Sequence, residues 1–204
     1  MFYLSRIEHT LFVPPSLLSR PLTEAIKGEI EKNFLDKVIA NLGLCVSVYD
    51  IRSIEGGFIS PAQGAATYVV VFTLIMFRPF IGEIIAAKLK ESNKDGLRLS
   101  LGFFDDIYIP SNLLPDPSHP EPDPRRKGDA VTWVWNYSGE KFVIDWQDEI
   151  RFQVHSINYP PIPIEQPKDS KPFAPMVIKG SLDSDGLGPI SWWIGAEEAE
   201  DEEV

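Results

Sequence analysis

Two sets of side chains in this sequence have the types and spacing to recognise an unpaired nucleic acid. Trp133, Trp135 and Tyr137 recur at every second position of one stretch, and Phe104 and Tyr108 add further rings. Rings spaced along a strand are what free bases stack on, at about 1–3 kcal/mol per base. Lys88, Lys90, Arg98 and the run Arg125-Arg126-Lys127 are the cations placed to follow a phosphate backbone. Each set has a plainer reading. Residues i and i+2 of a strand share a side, so at least one of the sets Trp133/Trp135 and Leu99/Leu101/Phe103 must fill a core, and alternation alone favours core for the two tryptophans. A solvated charged face accounts for the lysines and arginines equally well.

No other pattern supplies chemistry. Asp105-Asp106 would need a bulge to converge on a metal or a proton, because strand neighbours point to opposite faces, and a turn is the better reading. Asp183-Ser-Asp185-Gly186-Leu-Gly188 has its glycine at the wrong place for a calcium loop and no closing glutamate. The same glycines lack the third glycine and following helix of a dinucleotide site. Cys45 sits in a strand pattern with no histidine nearby, which reads as a small core or interface residue and not a nucleophile. His9, His119 and His155 stand too far apart for zinc spacing, and His155 is expected in solvent. The expectation is a non-catalytic protein without cofactor or metal.

The formal charge of −11 is unevenly placed. Residues 1–80 carry seven basic and seven acidic side chains, so the whole excess lies in residues 81–204, six acids of it in the stretch 197–203. What remains of the second part is still acidic, so phosphate binding by charge alone is expected to be weak. One cysteine excludes an internal disulfide framework, the N-terminal residues lack a basic segment followed by an apolar core, and the longest apolar run, 68–77, is too short to cross a bilayer. An intracellular protein with no membrane contact is expected.

The elements that must position these groups fall into two parts. In residues 1–80, a strand over 2–13 precedes a helix that Ser19 can cap, with Pro21 in its first turn and Leu22, Ala25, Ile26, Ile30, Phe34 and Val38 on one face. A strand follows with Leu42, Leu44, Val46 and Val48 on its core side. Residues 50–64, with Gly56-Gly57 and Pro61, read as a turn-rich connection. The run 67–77 is apolar on both faces and reads as a central strand covered by the helix and by a second layer, from another domain or a partner. Phe2, Tyr49, Tyr68, Phe72, Phe77 and Phe80 are the candidate contacts with that partner.

In residues 81–195, strands over 84–90 and 97–104 form a hairpin joined through Asp95-Gly96, and a bend at Asp105-Asp106 leads to a short edge piece ending at Pro110. Proline at five of the ten positions 115–124 marks an extended, solvated insertion over 111–130. Residues 131–137, 142–146, 150–154 and 176–181 read as further barrel strands. The expected fold class is α+β: an N-terminal α/β domain with a helix on an antiparallel sheet, followed by an OB-type β-barrel. The acidic residues 196–204 are expected to be a disordered tail.

Several separated segments resemble one family. They are Met1-Phe-Tyr-Leu-Ser-Arg-Ile-Glu-His-Thr, Phe34-Leu-Asp-Lys-Val-Ile-Ala-Asn-Leu-Gly-Leu-Cys, Ile54-Glu-Gly-Gly, Phe77-Arg-Pro-Phe-Ile-Gly-Glu, Gly102-Phe-Phe-Asp-Asp-Ile, Lys171-Pro-Phe-Ala-Pro-Met and Asp185-Gly-Leu-Gly-Pro-Ile-Ser-Trp-Trp. The chain resembles the larger stalk subunits of DNA-directed RNA polymerase III, relatives of the corresponding stalk protein of archaeal RNA polymerase and of its polymerase II equivalent. The resemblance implies a nuclear protein whose N-terminal tip domain docks on the polymerase III core and whose C-terminal barrel is S1-like. It also implies an obligate heterodimer with the smaller stalk subunit, a role in initiation, and weak contact with nascent single-stranded RNA. The rivals are a free-standing OB-fold RNA-binding module of translation or RNA decay, and the equivalent stalk subunit of another nuclear polymerase. A free module would usually carry a basic barrel face, which this sequence lacks.

Overall fold

The computed structural model describes residues 1–59, 61, 64–123, 125, 130–146, 148–163 and 172–193. The chain divides into two compact units, Met1–Pro79 and Phe80–Val204.

In the first unit, β1 (Phe2–Val13), α1 (Leu22–Phe34), β2 (Val38–Ile39), β3 (Gly43–Ile59) and β4 (Ala66–Phe77) build a helix on an antiparallel sheet of order β1-β4-β3-β2. The helix starts at Leu22 because Pro21, extended at φ −54° and ψ 132°, is itself the residue before the first turn. Ser19 therefore makes no cap. Asp36 reverses the chain at φ 58° and carries Val38 out of the helix into β2.

Ala25, Ile26 and Ile30 press on Leu11 and Val13 of β1 and on Val70, Phe72, Leu74 and Met76 of β4, all buried. Each of the larger side chains among them stabilises the fold by about 1.5–3 kcal/mol, and Ala25 by less. Strand β3 departs from simple alternation. Bulges after Cys45, Val48, Ile51 and Gly56 set two residues against one on β4, so the residues reaching the helix side are Cys45, Val48, Ile51 and Ile54, at intervals of three. The expected connection over 50–64 is thus largely strand, and Gly56 and Gly57 serve a bulge, at φ 101° and 95°, where a Cβ on Gly56 would stand 2.9 Å from the Thr67 carbonyl oxygen. The opposite face of the sheet carries exposed Phe2, Leu4, Phe12 and Val69.

The second unit contains β5 (Ile84–Asn93), β6 (Gly96–Ser100), β7 (Ile107–Pro110), β8 (Ser118–Pro122), β9 (Val131–Tyr137), β10 (Glu140–Ile144), β11 (Glu149–Asn158), β12 (Val177–Ser181) and β13 (Gly188–Pro189). Five strands close a barrel in the order β5-β6-β7-β12-β11 and back to β5, with β7 and β12 parallel and the other pairs antiparallel. That order is consistent with an OB-type barrel. Strand β7 is therefore not an edge piece but lies between β6 and β12. Lys94 and Asp95 form the β5–β6 turn, and Asn93 Oδ1 accepts from the backbone N–H groups of Asp95 and Gly96.

Strands β9 and β10 are not barrel strands. They form a separate antiparallel sheet of order β10-β9-β8, inserted between β7 and β11, and β8 lies inside the segment expected to be a solvated excursion. Pro120 and Pro122 fit there because β8 is an edge strand.

Barrel closure leaves little room at Gly180. A Cβ there would lie 2.5 Å from the Phe152 ring and 3.2 Å from Ile109. Gly180→Ala is expected to cost about 1–3 kcal/mol by overpacking, read as a lower urea midpoint for the barrel; an unchanged midpoint would contradict this packing.

Candidate nucleic-acid interface

The outward side of the barrel is set by register. Leu97 and Leu99 of β6 point inward and are buried, so Arg98 and Ser100 point out. Cross-strand pairing sets Lys88 beside Ser100, Arg98 beside Tyr108 and, through the parallel pair, Tyr108 beside Lys179. This brings Lys88, Arg98 and Tyr108 together with Lys179, which sequence reasoning did not single out; its signal is parity on β12, since Ile178 and Gly180 are inward.

Residues 101–106 then fold carboxylates over the cations. Lys90 Nζ donates to Asp105 Oδ2, Ser100 Oγ donates to Asp105 Oδ1, and Arg98 donates from Nε to the Asp105 carbonyl oxygen at 3.1 Å and from Nη2 to Asp106 Oδ1 at 3.1 Å. Glu91 stands 3.5 Å from Arg98 Nη1. The Asp106 carboxylate and the Asp105 backbone carbonyl thus meet one guanidinium, while the Asp105 carboxylate is held by Lys90 and Ser100. A cleft of about 710 Å³ opens beside them, lined also by Tyr108 and Phe173. Its two cations meet three carboxylates, so the local charge is not basic. Lys88 and Lys179, both exposed, form no ion pair among the described residues.

The rings separate by depth. Trp133 is only 4% exposed and donates from Nε1 to the Asn93 carbonyl oxygen at 3.0 Å, tying the inserted sheet to the end of β5. Phe104 is 7% exposed; Gly102, at φ 87°, breaks the alternation and turns Phe103 out in its place. Neither Trp133 nor Phe104 presents a stacking face. Tyr108 is half-buried and donates from its hydroxyl to the Asp95 carbonyl oxygen at 2.8 Å; burial, then the Asp95 charge, push its pKa up. Trp135 stays accessible, stacked on Tyr137 at 4.9 Å and on Trp192 at 5.6 Å. Trp192 comes from beyond β13, far along the chain, which no periodicity could show.

Arg125 pairs with Asp123 at 3.3 Å and Asp145 at 3.1 Å, clamping β8 to the end of β10 rather than standing free. Hydrogen bonds from the Arg125 backbone and the Trp146 backbone hold the two carboxyls, Asp123 and Asp145 respectively, below the usual range. Arg126, Lys127 and the residues 196–204 lie outside the described residues.

Among the candidate partner contacts, Phe2, Tyr49 and Phe80 are exposed. Phe72 and Phe77 are 0% exposed, and Tyr68 packs partly against the helix-side core. Cys45 is buried as well, and burial, then Asp36, push its thiol pKa up, away from the thiolate.

Comparison with known proteins adds sequence relatives. Residues 83–193 match the family described as RNA polymerase III subunit Rpc25, and residues 8–64 match the SHS2 domain found in the N terminus of Rpb7p and Rpc25p. The chain is 36% identical over 208 residues to DNA-directed RNA polymerase III subunit rpc8 of Schizosaccharomyces pombe, covering 95% of this chain and 100% of that one. It is 34% identical to subunit RPC8 of Bos taurus, over 95% and 98% of the two chains. With subunit Rpo7 of Saccharolobus solfataricus the identity is 24%, over 77% of this chain and 83% of the relative.

The Asp105 cluster sets a pH dependence. Hydrogen bonds from Lys90 and Ser100 hold the Asp105 carboxyl below its usual pKa. A carboxylate lowered in this way contributes stability that is fully present above its unfolded pKa, about 3.9, and lost as pH falls through the folded value. For this half-exposed group the contribution is below about 1 kcal/mol. The stability gap between the chain and Asp105→Asn is expected to hold at neutral pH and vanish on acidification below about pH 4; a gap that stays constant through that range would contradict the assignment.

Proposed function

The chain belongs to the family of RNA polymerase III subunit Rpc25, and from that membership we propose that it is the larger, non-catalytic stalk subunit of nuclear RNA polymerase III. In this reading the unit Met1–Pro79 is a tip domain that docks on the polymerase core. The unit from Phe80 onward is an S1-like OB barrel. The smaller stalk subunit is the obligate partner, and the heterodimer supports initiation on genes for small untranslated RNAs while the barrel meets the nascent transcript.

The observation that carries the assembly role is apolar surface left on the tip sheet. Phe2, Leu4, Phe12, Tyr49 and Val69 are exposed there, and Phe58, at 80% exposure, adds a ring near the end of β3. Monomeric proteins rarely leave so many large apolar side chains in one small unit unless a partner covers them. Docking on the core and on the smaller subunit supplies that cover, with Phe2, Tyr49 and Phe80 among the contacts. Expressed alone, the chain is expected to aggregate, and co-expression with the smaller stalk subunit to yield a soluble one-to-one complex; a monodisperse, soluble chain on its own would contradict the proposal.

The RNA contact follows from charge. Lys90, Arg98 and Arg125 already face carboxylates, which leaves Lys88 and Lys179, with Tyr108 as the accessible ring in their row, to meet a transcript. RNA binding is therefore expected to be weak in the free chain and useful only where the polymerase delivers the strand. In a filter-binding titration of the stalk heterodimer with single-stranded RNA, the double change Lys88→Ala and Lys179→Ala is expected to lower affinity several-fold. It should also flatten the salt dependence by about 0.7 per lysine. Loss of the same size from Arg125→Ala would point to another surface, and tight binding by the free chain at physiological salt would favour a free-standing RNA-binding module.

A further inference from the structure

The second unit holds another cleft, away from the barrel cations, that the RNA reading does not use. Two adjoining cavities of about 420 and 400 Å³ share Trp135, Asp185, Trp192 and Trp193 in their walls. Tyr137 and Phe142 extend the aromatic side, with Phe142 5.4 Å from Trp135 and 5.6 Å from Trp192. Asp116 and Asp183 stand with Asp185 along the other side, all three exposed.

The chemistry of this cleft is one-sided. Among the described residues, no lysine, arginine or histidine lines it. Among the described residues its three carboxylates have no ion pair. Each indole N–H is already spent on the chain's own backbone: Trp135 on Asp116 at 3.4 Å, Trp192 on Val143 at 3.2 Å, Trp193 on Leu187 at 3.2 Å. What remains for a ligand is ring surface and negative charge. A phosphate would be repelled, and a nucleotide would find no indole donor for its base edge. A cation is attracted by both components, since the face of an aromatic ring is negative and tryptophan is the strongest of the rings.

We propose that this cleft binds the side chain of a lysine or arginine presented by a basic segment of a partner protein. Charge complementarity selects that occupant, because the second unit is acidic overall and no cation lines the cleft among the described residues. The aliphatic stem of such a side chain lies along the rings while its head meets Asp183 and Asp185.

The full-length chain, in its one-to-one complex with the smaller stalk subunit, is titrated with a short glycine peptide carrying two arginines, with the same peptide carrying citrulline, and with oligouridylate, following tryptophan fluorescence and heat. The arginine peptide is expected to bind at least fivefold more tightly than the citrulline peptide. In the double variant Asp183→Asn and Asp185→Asn, checked for an unchanged circular dichroism spectrum, that gap should close. No binding of the arginine peptide, equal binding of the two peptides, a gap that survives the double variant, or displacement of the arginine peptide by oligouridylate would each overturn the proposal.

Discussion

Strand β12 runs parallel to β7 through two registered positions, Ile178 with Ile107 and Lys179 with Tyr108, and antiparallel to β11 along its length. These pairings convert an open sheet into a closed barrel, and the surfaces of the second unit follow from them. Closure puts Lys179 in the outward row with Tyr108, Arg98 and Lys88. It also delivers the segment after β12 to the inserted sheet, so that Asp183, Asp185, Trp192 and Trp193 meet Trp135. Because Gly180 sits against Phe152 without room for a methyl group, the position of β12 is fixed by contact on both of its sides.

Electrostatics then decides what the closed barrel can do. An exposed lysine in water and a lysine already against a carboxylate are different reagents toward phosphate, since the paired one must break an interaction to make another. Lys90, Arg98 and Arg125 are of the second kind. The barrel therefore offers shape but little net attraction for a phosphate backbone. That agrees with a subunit that works inside a larger assembly and not with a module that searches for RNA unaided. The first unit points the same way, since its helix covers one side of the sheet and large apolar side chains stay exposed on the other.

The sequence made some of this legible. Helix periodicity marked Ala25, Ile26 and Ile30 as the covered face, and strand alternation placed Leu97 and Leu99 inside and Arg98 outside. Where alternation failed, the cause was a bulge or a glycine: repeated bulges moved the inward positions of β3 to intervals of three, and Gly102 exchanged the roles of Phe103 and Phe104. Proline counted against a strand at Pro120 and Pro122, although an edge strand has no ladder bond for proline to break on its open side. The cation–carboxylate network and the Trp135–Trp192 stack were not readable, because both join residues brought together only by tertiary closure. Resemblance across separated segments reached the family by a route that local patterns could not supply.

A chain of the Rpc25 family with this much uncovered apolar surface is expected to occur in cells only together with its polymerase. The most direct measurement is affinity capture of the tagged full chain from its own cells under mild salt, followed by identification of the co-purifying large subunits. The two largest polymerase III subunits and a small stalk partner are expected in equal amounts with the chain. Recovery of the chain free of any polymerase, or with the large subunits of another polymerase instead, would contradict it.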